Sequence, residues 1–139
     1  MNKTVSPKTK DIQHNWHLVD VSEKTLGRIA SEIAMLLMGK SKPYFVRHLD
    51  TGDYVVVVNA SRIHFTGKKR DQKQYTSYSG YPGGLRKETL RDLLTRKPEE
   101  VIRRAVLGML PKNKHRDRLI KRLFVFPGSE HTYTQKFIH

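Results

Sequence analysis

The feature that most constrains the fold is an apolar run at residues 54–60, with the sequence Tyr-Val-Val-Val-Val-Asn-Ala. A strand with one face in water alternates apolar and polar residues, whereas this run is apolar at consecutive positions. Both of its faces are therefore expected to be buried. Strands of this kind are typical of parallel sheets covered by helices, so the run predicts the middle strand of a parallel sheet with helices on both sides.

Three further strands and one clear helix are predicted around this run. Residues 16–21 favour a first strand, residues 62–66 a short one, and residues 123–126 a last one. At residues 25–38, apolar side chains recur at steps of three and four, which predicts an amphipathic helix. Gly39 follows directly and suits the C-terminal cap of that helix.

Two more helices are predicted in the C-terminal half, at residues 87–96 and 98–110. Pro98 suits the first turn of the second helix, because its missing N–H would have no partner there. Strands that alternate with helices predict an α/β domain with a small, mostly parallel sheet. We expect one domain at residues 16–139, preceded by an extended basic arm at residues 1–15.

The charge of the chain points to a polyanionic partner. Its 139 residues include 27 Lys and Arg against 13 Asp and Glu, which gives a formal charge of +14 and a pI near 10.2. Such an excess opposes compaction by self-repulsion, and a polyanion relieves it. Nucleic acid is the leading candidate, and an anionic membrane surface is the second.

The remaining composition favours a cytoplasmic protein. Cysteine is absent, which excludes disulfides and thiolate zinc sites and fits a reducing compartment. The first fifteen residues lack the apolar core of a secretory signal. The apolar runs at residues 33–38 and 55–58 are too short to span a bilayer. An organelle-encoded protein would have the same composition, so that origin stays open.

A basic loop is predicted at residues 66–87, which are polar and punctuated by glycine. Its cations suit phosphate oxygens, its tyrosines can stack on unpaired bases, and Gly83 and Gly84 would let the backbone approach a partner closely. A solvated mobile loop is the alternative. The residues expected to contact RNA are Lys68, Lys69, Arg70, Lys73, Tyr75, Tyr78, Tyr81, Gly83, Gly84 and Arg86.

A second basic segment is predicted at residues 112–122, directly after the helix that Pro111 ends. It holds six Lys and Arg against one Asp, so we expect an RNA-binding surface that the helix holds in place. An ordinary solvated charge run is the alternative. The expected contacts are Lys112, Asn113, Lys114, Arg116, Arg118, Lys121 and Arg122.

No catalytic site, cofactor or small-molecule substrate is predicted. The sequence Gly80-Tyr-Pro-Gly-Gly84 lacks the glycine spacing of a dinucleotide fingerprint and the Lys-Ser/Thr ending of a P-loop. At residues 48–53, a histidine and two carboxylates precede the middle strand, but a tight turn explains the aspartates better than acid–base chemistry. The other histidines have no spacing typical of a metal site.

Several motifs together resemble the bacterial-type large-subunit ribosomal protein L-thirteen (universal thirteen) family. The most specific are Ser-Gly-Tyr-Pro-Gly-Gly-Leu at residues 79–85 and Gly-Met-Leu-Pro-Lys-Asn at residues 108–113. Shorter matches occur in family order at residues 16–20, 26–31, 39–40, 48–53, 55–60 and 66–69. The chain departs from the family pattern at Tyr78 and at residues 114–117 and 131–135.

The resemblance implies a structural protein that binds large-subunit ribosomal RNA, contacts neighbouring ribosomal proteins and supports subunit assembly, without enzymatic activity. It also implies a three-layer α/β/α domain around a four-stranded parallel sheet, with residues 68–86 and 112–122 facing RNA. Composition alone is also consistent with two other hypotheses. One is an RNA- or DNA-binding regulator that acts off the ribosome, for example on messenger RNA. The other is a small enzyme for phosphorylated substrates, for which no convincing base or nucleophile is present.

Overall fold

A three-stranded parallel sheet lies at the centre of the computed structural model, which describes residues 5–137. Strand β2 (Tyr54–Val58) is the middle strand, between β1 (Trp16–Asp20) and β5 (Leu123–Val125). The four valines of β2 are all buried, three of them with no exposed surface. The predicted middle strand of a parallel sheet is therefore confirmed.

One face of this sheet packs against helices α1 (Leu26–Met38) and α4 (Pro98–Met109). Val55, Val57 and Leu123 supply the sheet's buried residues on this face. The buried side chains that the two helices add include Ile29, Ile33, Leu37, Val101, Ile102 and Val106. Burying one such side chain stabilises the fold by about 1.5–3 kcal/mol, so this face holds the main core.

The C-terminus of α1 packs backbone to backbone against the irregular segment at residues 50–53. Gly39 ends the helix in the left-handed conformation (φ +78°), and its N–H donates to the carbonyl groups of Met35 and Leu36. A Cβ atom on Gly52 would lie 1.7 Å from the carbonyl oxygen of Leu37. The predicted cap is confirmed, and only glycine fits at position 52.

The strand order explains why α1 and α4 lie on the same face of the sheet. The chain steps from β1 to β2 and then in the same direction to β5. Right-handed crossovers that step in the same direction place their helices on the same side of a sheet. The core accordingly includes residues of α1 and α4 together with Val55 and Val57. The expectation of helices on both faces is met only in part within residues 5–137: α-helices cover one face, and a short 3-10 helix (Thr134–Phe137) lies on the other.

The opposite face of the sheet is covered by aromatic side chains instead. Trp16 stacks on Tyr54, with ring centroids 4.4 Å apart and planes 7° apart. Tyr133 lies over Phe124 at 4.4 Å, and Phe137 meets the edge of Trp16 at 6.4 Å. The C-terminal segment therefore supplies the cover that the sequence pattern assigned to helices.

The fourth parallel strand expected at residues 62–66 is not formed. A short 3-10 helix (Ala60–Arg62) follows β2, because Asn59 turns the chain in the left-handed conformation. Only an isolated bridge joins His64 to Thr25. The sheet around β2 therefore has three parallel strands, and not the four that the resemblance implied.

The expected loop at residues 66–87 is instead an ordered helix and hairpin. Helix α2 (Lys69–Gln72) precedes strands β3 (Gln74–Tyr78) and β4 (Leu85–Thr89), which pair antiparallel in a separate two-stranded sheet. Helix α3 (Leu90–Arg96) follows directly, three residues later than predicted. The hydroxyl of Thr89 accepts a hydrogen bond from the Asp92 N–H and so caps the N-terminus of α3. This cap fixes the start of the helix at Leu90.

Helix α5 (His115–Ile120) lies within the predicted basic segment and contacts α1 and α4. The described part of the N-terminal arm includes a 3-10 helix (Thr9–Asp11), and residues 1–4 lie outside the described residues. His14 donates a hydrogen bond to the carbonyl of Gly52, which ties the arm to the body of the protein. Within residues 5–137, every helix is too short or too polar to cross a bilayer.

Candidate nucleic-acid interface

The cations predicted at residues 66–87 lie exposed on α2 and the hairpin. Lys68 precedes α2, Lys69 and Arg70 lie in it, Lys73 joins it to β3, and Arg86 lies in β4. Within residues 5–137, none of the five forms an ion pair with a carboxylate, and Arg70 lies over the ring of Phe65. Their charge therefore remains available to an anionic partner.

The three predicted tyrosines differ in what their rings can do. Tyr78 and Tyr81 are 65% and 75% exposed, so both rings are accessible for stacking on a base. Tyr75 is half-buried, with Arg104 5.2 Å and Lys73 5.6 Å from its ring centre. Burial raises the pKa of Tyr75, which Arg104 partly opposes. Tyr75 thus connects the hairpin to α4.

Gly83 and Gly84 serve the turn of the hairpin. Gly83 has a positive φ of +73°, which side chains disfavour. A Cβ atom on Gly84 would lie 1.9 Å from the hydroxyl of Ser79, and the Gly84 N–H donates to the carbonyl of Tyr81. The close approach at Gly84 is therefore made by its own chain, and contact of these glycines with RNA stays a prediction.

The second predicted group lies on α5 and on the turn before it. Lys112, Lys114, Arg118 and Lys121 are exposed, and Arg116 is half-buried; within residues 5–137 none of them forms an ion pair. The side chain of Asn113 accepts a hydrogen bond of 3.0 Å from the His115 N–H. Asn113 therefore helps to fix the turn, and this leaves its neighbouring lysines pointing outward from the same short segment.

Arg122 is held inside the protein, unlike the other predicted cations. Its side chain is 12% exposed, and its guanidinium forms an ion pair with Asp50 and lies 5.8 Å from the ring centre of Tyr54. Burial lowers the pKa of Arg122. A direct RNA contact by Arg122 stays a prediction, and its partners tie the start of β5 to the segment at residues 50–53.

Helix α4 joins the two basic groups. One cleft of about 570 Å³, the hairpin cleft, is bordered by Arg86, Arg96 and Arg104. A second cleft of about 370 Å³, the helix cleft, is bordered by Arg104, Lys69 and Met109. Arg104 borders both clefts, and Met109 also borders a third cavity beside Asn113. A continuous surface therefore runs along α4 from the hairpin to α5.

Sequence reasoning missed Arg96 and Arg104 as part of this surface. Arg96 pairs with Glu88 across 2.6 Å, and its hydrogen bond lowers the pKa of Glu88. Arg104 pairs with Glu100 one helical turn away and covers Tyr75. The available signal was their place on the polar side of predicted helices, but that position does not distinguish a binding residue from a solvated one.

The carboxylates at residues 50–53 have structural partners. Asp53 is buried and accepts hydrogen bonds from Lys42 (2.6 Å) and the Asn15 N–H (3.0 Å), and His17 Nε2 lies 2.7 Å from it. Burial alone would raise the pKa of Asp53, but these hydrogen bonds outweigh it and hold the pKa below its usual value. Residues 50–53 form an irregular segment and not the predicted tight turn, although Asp50 accepts a hydrogen bond from the Gly52 N–H, and His48 is exposed beside this segment.

No metal centre is indicated in the part of the chain that the structure describes. Residues 5–137 contain no group of three or more histidine and carboxylate side chains placed to hold a metal ion. The exposed side chains of the surface along α4 are mainly cationic and aromatic. Such side chains suit phosphate groups and unpaired bases.

Comparison with known proteins gives one consistent family. The family described as "Ribosomal protein L13" matches residues 14–132, a range that includes both basic groups. "Large ribosomal subunit protein uL13" from Clostridioides difficile (strain 630) is 56% identical over 94% of this chain and 92% of its own length. Proteins of the same name from Thermobifida fusca (strain YX) and Chlorobium phaeobacteroides (strain BS1) are 50% and 51% identical, over 94% and 96% of this chain.

Proposed function

This chain belongs to the ribosomal protein L13 family, and from that premise we propose that it is a structural constituent of the large ribosomal subunit that binds large-subunit ribosomal RNA. The observation that carries the RNA contact is the continuous surface along α4, with unpaired cations at both ends. Its role is to hold RNA in place and support subunit assembly. It acts in the ribosome, in the cytoplasm or in an organelle.

The two ends of this surface make different contacts. At α5, Lys112, Lys114 and Arg118 bind phosphate oxygens, because compact ammonium and guanidinium groups match a dense row of negative charge. At the hairpin, Lys73 and Arg86 bind phosphates as well. Because α4 has twelve residues at about 1.5 Å each, the two ends lie roughly 20 Å apart, which is far enough to bridge separate RNA segments.

The hairpin tip adds a contact to bases. Tyr78 and Tyr81 present exposed rings at the end of the two-stranded β3–β4 sheet. These rings stack on unpaired bases of the RNA, which gives affinity without strict dependence on sequence. Leu85, 56% exposed beside them, offers apolar surface to a neighbouring ribosomal protein.

The names of the relatives favour this role over a regulator that acts off the ribosome. Contact with messenger RNA is no part of the proposal, and the experiment distinguishes it. The full chain is titrated with protein-free large-subunit ribosomal RNA, with small-subunit ribosomal RNA and messenger RNA as matched competitors, at several salt concentrations.

The expected result is tighter binding to the large-subunit RNA and an affinity that falls steeply with salt, because bound cations release counterions from the RNA. In a cell extract, the protein should sediment with large subunits at ordinary salt. Sedimentation with messenger RNA alone, or equal affinity for all three RNAs, would contradict the proposal.

A further inference from the structure

We propose that the cavity between α1, residues 40–50 and α5 binds one unpaired base of the RNA. The inference rests on the proposed function and adds a specific site to it. The cavity holds about 470 Å³, within the roughly 300–1,000 Å³ range of small-molecule pockets. It lies beside Asn113, at the α5 end of the surface along α4.

The walls of this cavity suit the flat faces of a base. Phe45 and Leu49 come from the connection after α1, Met109 and Leu110 from the end of α4, and Leu119 from α5. Aromatic and apolar side chains are what stacked bases contact in proteins that bind single-stranded RNA. Three separate chain segments thus form one apolar slot beside a cationic surface.

One lining residue, His115, has a polar atom that lacks a partner. The Nδ1 atom of His115 is enclosed and forms no hydrogen bond within residues 5–137, although buried polar atoms are nearly always paired. His115 lines the cavity. A ring nitrogen is a donor or an acceptor according to its tautomer, and the edge of every base carries groups of both kinds. Because Nδ1 is enclosed, a base in the cavity would supply the missing partner only after the His115 ring rotates toward it.

The rim of the cavity selects RNA over an apolar protein segment. Lys40 and Arg47 border it on one side, and Lys112 and Lys114 flank Asn113 on the other. A base that enters the cavity brings a phosphate on each side, so cations on two sides of the opening complement it. The lining carboxylate of Asp50 does not oppose this charge, because it is paired with Arg122.

The test fills the cavity without changing charge. Met109 is 42% exposed and borders both this cavity and the helix cleft, so Met109→Trp puts a larger side chain at the opening of the cavity, and protection of the base rather than affinity alone decides the test. Met35 is 49% exposed on α1 and borders none of the three clefts, so Met35→Trp is the matched control. Thermal unfolding first establishes that both variants fold like the wild type.

The readout is chemical probing of base edges on protein-free large-subunit ribosomal RNA, with binding titrations at several salt concentrations. Wild type and Met35→Trp should protect the same unpaired base. Met109→Trp should leave that base reactive and bind about tenfold more weakly, which is typical of losing one stacked base. The salt dependence should stay unchanged, because no phosphate contact is lost.

A photoreactive residue in place of Phe45 gives an independent readout in assembled large subunits. Crosslinking to a nucleotide is expected. Crosslinking to a ribosomal protein, or an unchanged affinity and probing pattern for Met109→Trp, would overturn the proposed base site while leaving the ribosomal role intact. Failure of the wild-type chain to bind the RNA would instead remove the proposed function itself, and the base site with it.

Discussion

The two sheets of this molecule differ in where their side chains lie. In the three-stranded sheet, the four valines of β2 are buried between helices and aromatic rings. In the β3–β4 hairpin, seven of the ten strand residues are exposed, and the next residue buried in the core is Leu90 of α3. The first sheet therefore carries stability, and the second holds side chains where a partner can reach them.

This difference predicts that some substitutions change stability and others change RNA affinity. An isolated two-stranded hairpin is marginal in water, so this one depends on its contacts with α3 and on Arg104 over Tyr75. Changes in the parallel sheet should lower the free energy of unfolding. Changes at exposed hairpin and α5 positions should lower RNA affinity and leave unfolding nearly unchanged.

The largest effect is expected for Val57→Asp, which buries an unpaired charge in the middle strand. We expect a loss of about 4 kcal/mol or more in the free energy of unfolding, enough to unfold much of the protein. The same new residue at an exposed hairpin position, Thr76→Asp, should change it by about 1 kcal/mol or less, the usual range of strand propensity. Denaturant unfolding followed by circular dichroism measures both. Equal losses would remove the distinction between the sheets.

Asp53→Asn is expected to have the next largest effect, because it leaves Lys42 and His17 without their buried anion. Removing one partner of a buried pair costs about 3 kcal/mol. Asp71→Asn is the control: its pair with Arg91 is mostly exposed, and its loss should cost less than about 1 kcal/mol. Thermal and denaturant unfolding compare the two.

The contribution of Asp53 to the free energy of unfolding should also depend on pH, and it should fall as the solution becomes more acidic. The folded-state pKa of Asp53 is lower than its usual value of 3.8, so its stabilising contribution is present above that value. It is lost as pH falls through 3.8 toward the folded-state pKa. The difference in unfolding free energy between the wild type and Asp53→Asn should therefore shrink with acid. A difference that grew below pH 4 would contradict this account of the ion pair.

Neutralising the α5 group tests the binding half of the comparison. Replacing the four residues Lys112, Lys114, Arg116 and Arg118 by Gln should weaken RNA binding about 100-fold and lower the salt slope by roughly 3. Unfolding should change little. The control replaces four exposed cations elsewhere by Gln, so that both variants carry the same net charge. These cations are Lys24, Arg28, Arg62 and Lys97. If both variants lose affinity equally, overall charge and not this surface drives binding.

The smallest effect is expected at the tip of the hairpin. Tyr81→Ala removes a ring that is 75% exposed, so RNA affinity should fall about five- to tenfold, as for one stacked base, with unchanged stability. Tyr75→Ala should instead lower stability, because Arg104 and Lys73 lose the ring between them. Gel shifts and thermal unfolding of both variants measure the contrast. Reversed results would place the binding ring at Tyr75.

The parts of the fold that could be predicted from the sequence are those in which burial leaves a pattern. Both β2 and α1 have such patterns, because valines occupy consecutive positions of β2 and apolar residues recur at steps of three and four along α1. The hairpin has none, because β3 and β4 are polar on both faces. Their pairing depends on Gly83 and on packing with α3, which no local pattern shows.

The candidate site was predictable only as a list of charges. Exposed cations such as Lys68 and Lys114 follow from composition, but the internal position of Arg122 depends on Asp50, distant in sequence. Arg104 was missed because its role comes from Tyr75. The cavity proposed to bind a base could not be predicted, since its walls meet only when α1, α4 and α5 are packed. The side on which helices lie depends on the crossover direction, which residue periodicity does not encode.

The position of β5 in the chain determines when the fold can be completed during synthesis. Strand β5 (Leu123–Val125) pairs with β2, about 70 residues earlier, and follows every α-helix of the described chain. Contacts so distant in sequence form late and slowly. A nascent chain therefore carries both of its cationic groups before its sheet can close. In that interval it is a basic, incompletely folded polypeptide, exposed to any RNA nearby and to aggregation, and a short delay between synthesis and capture by its RNA would protect it.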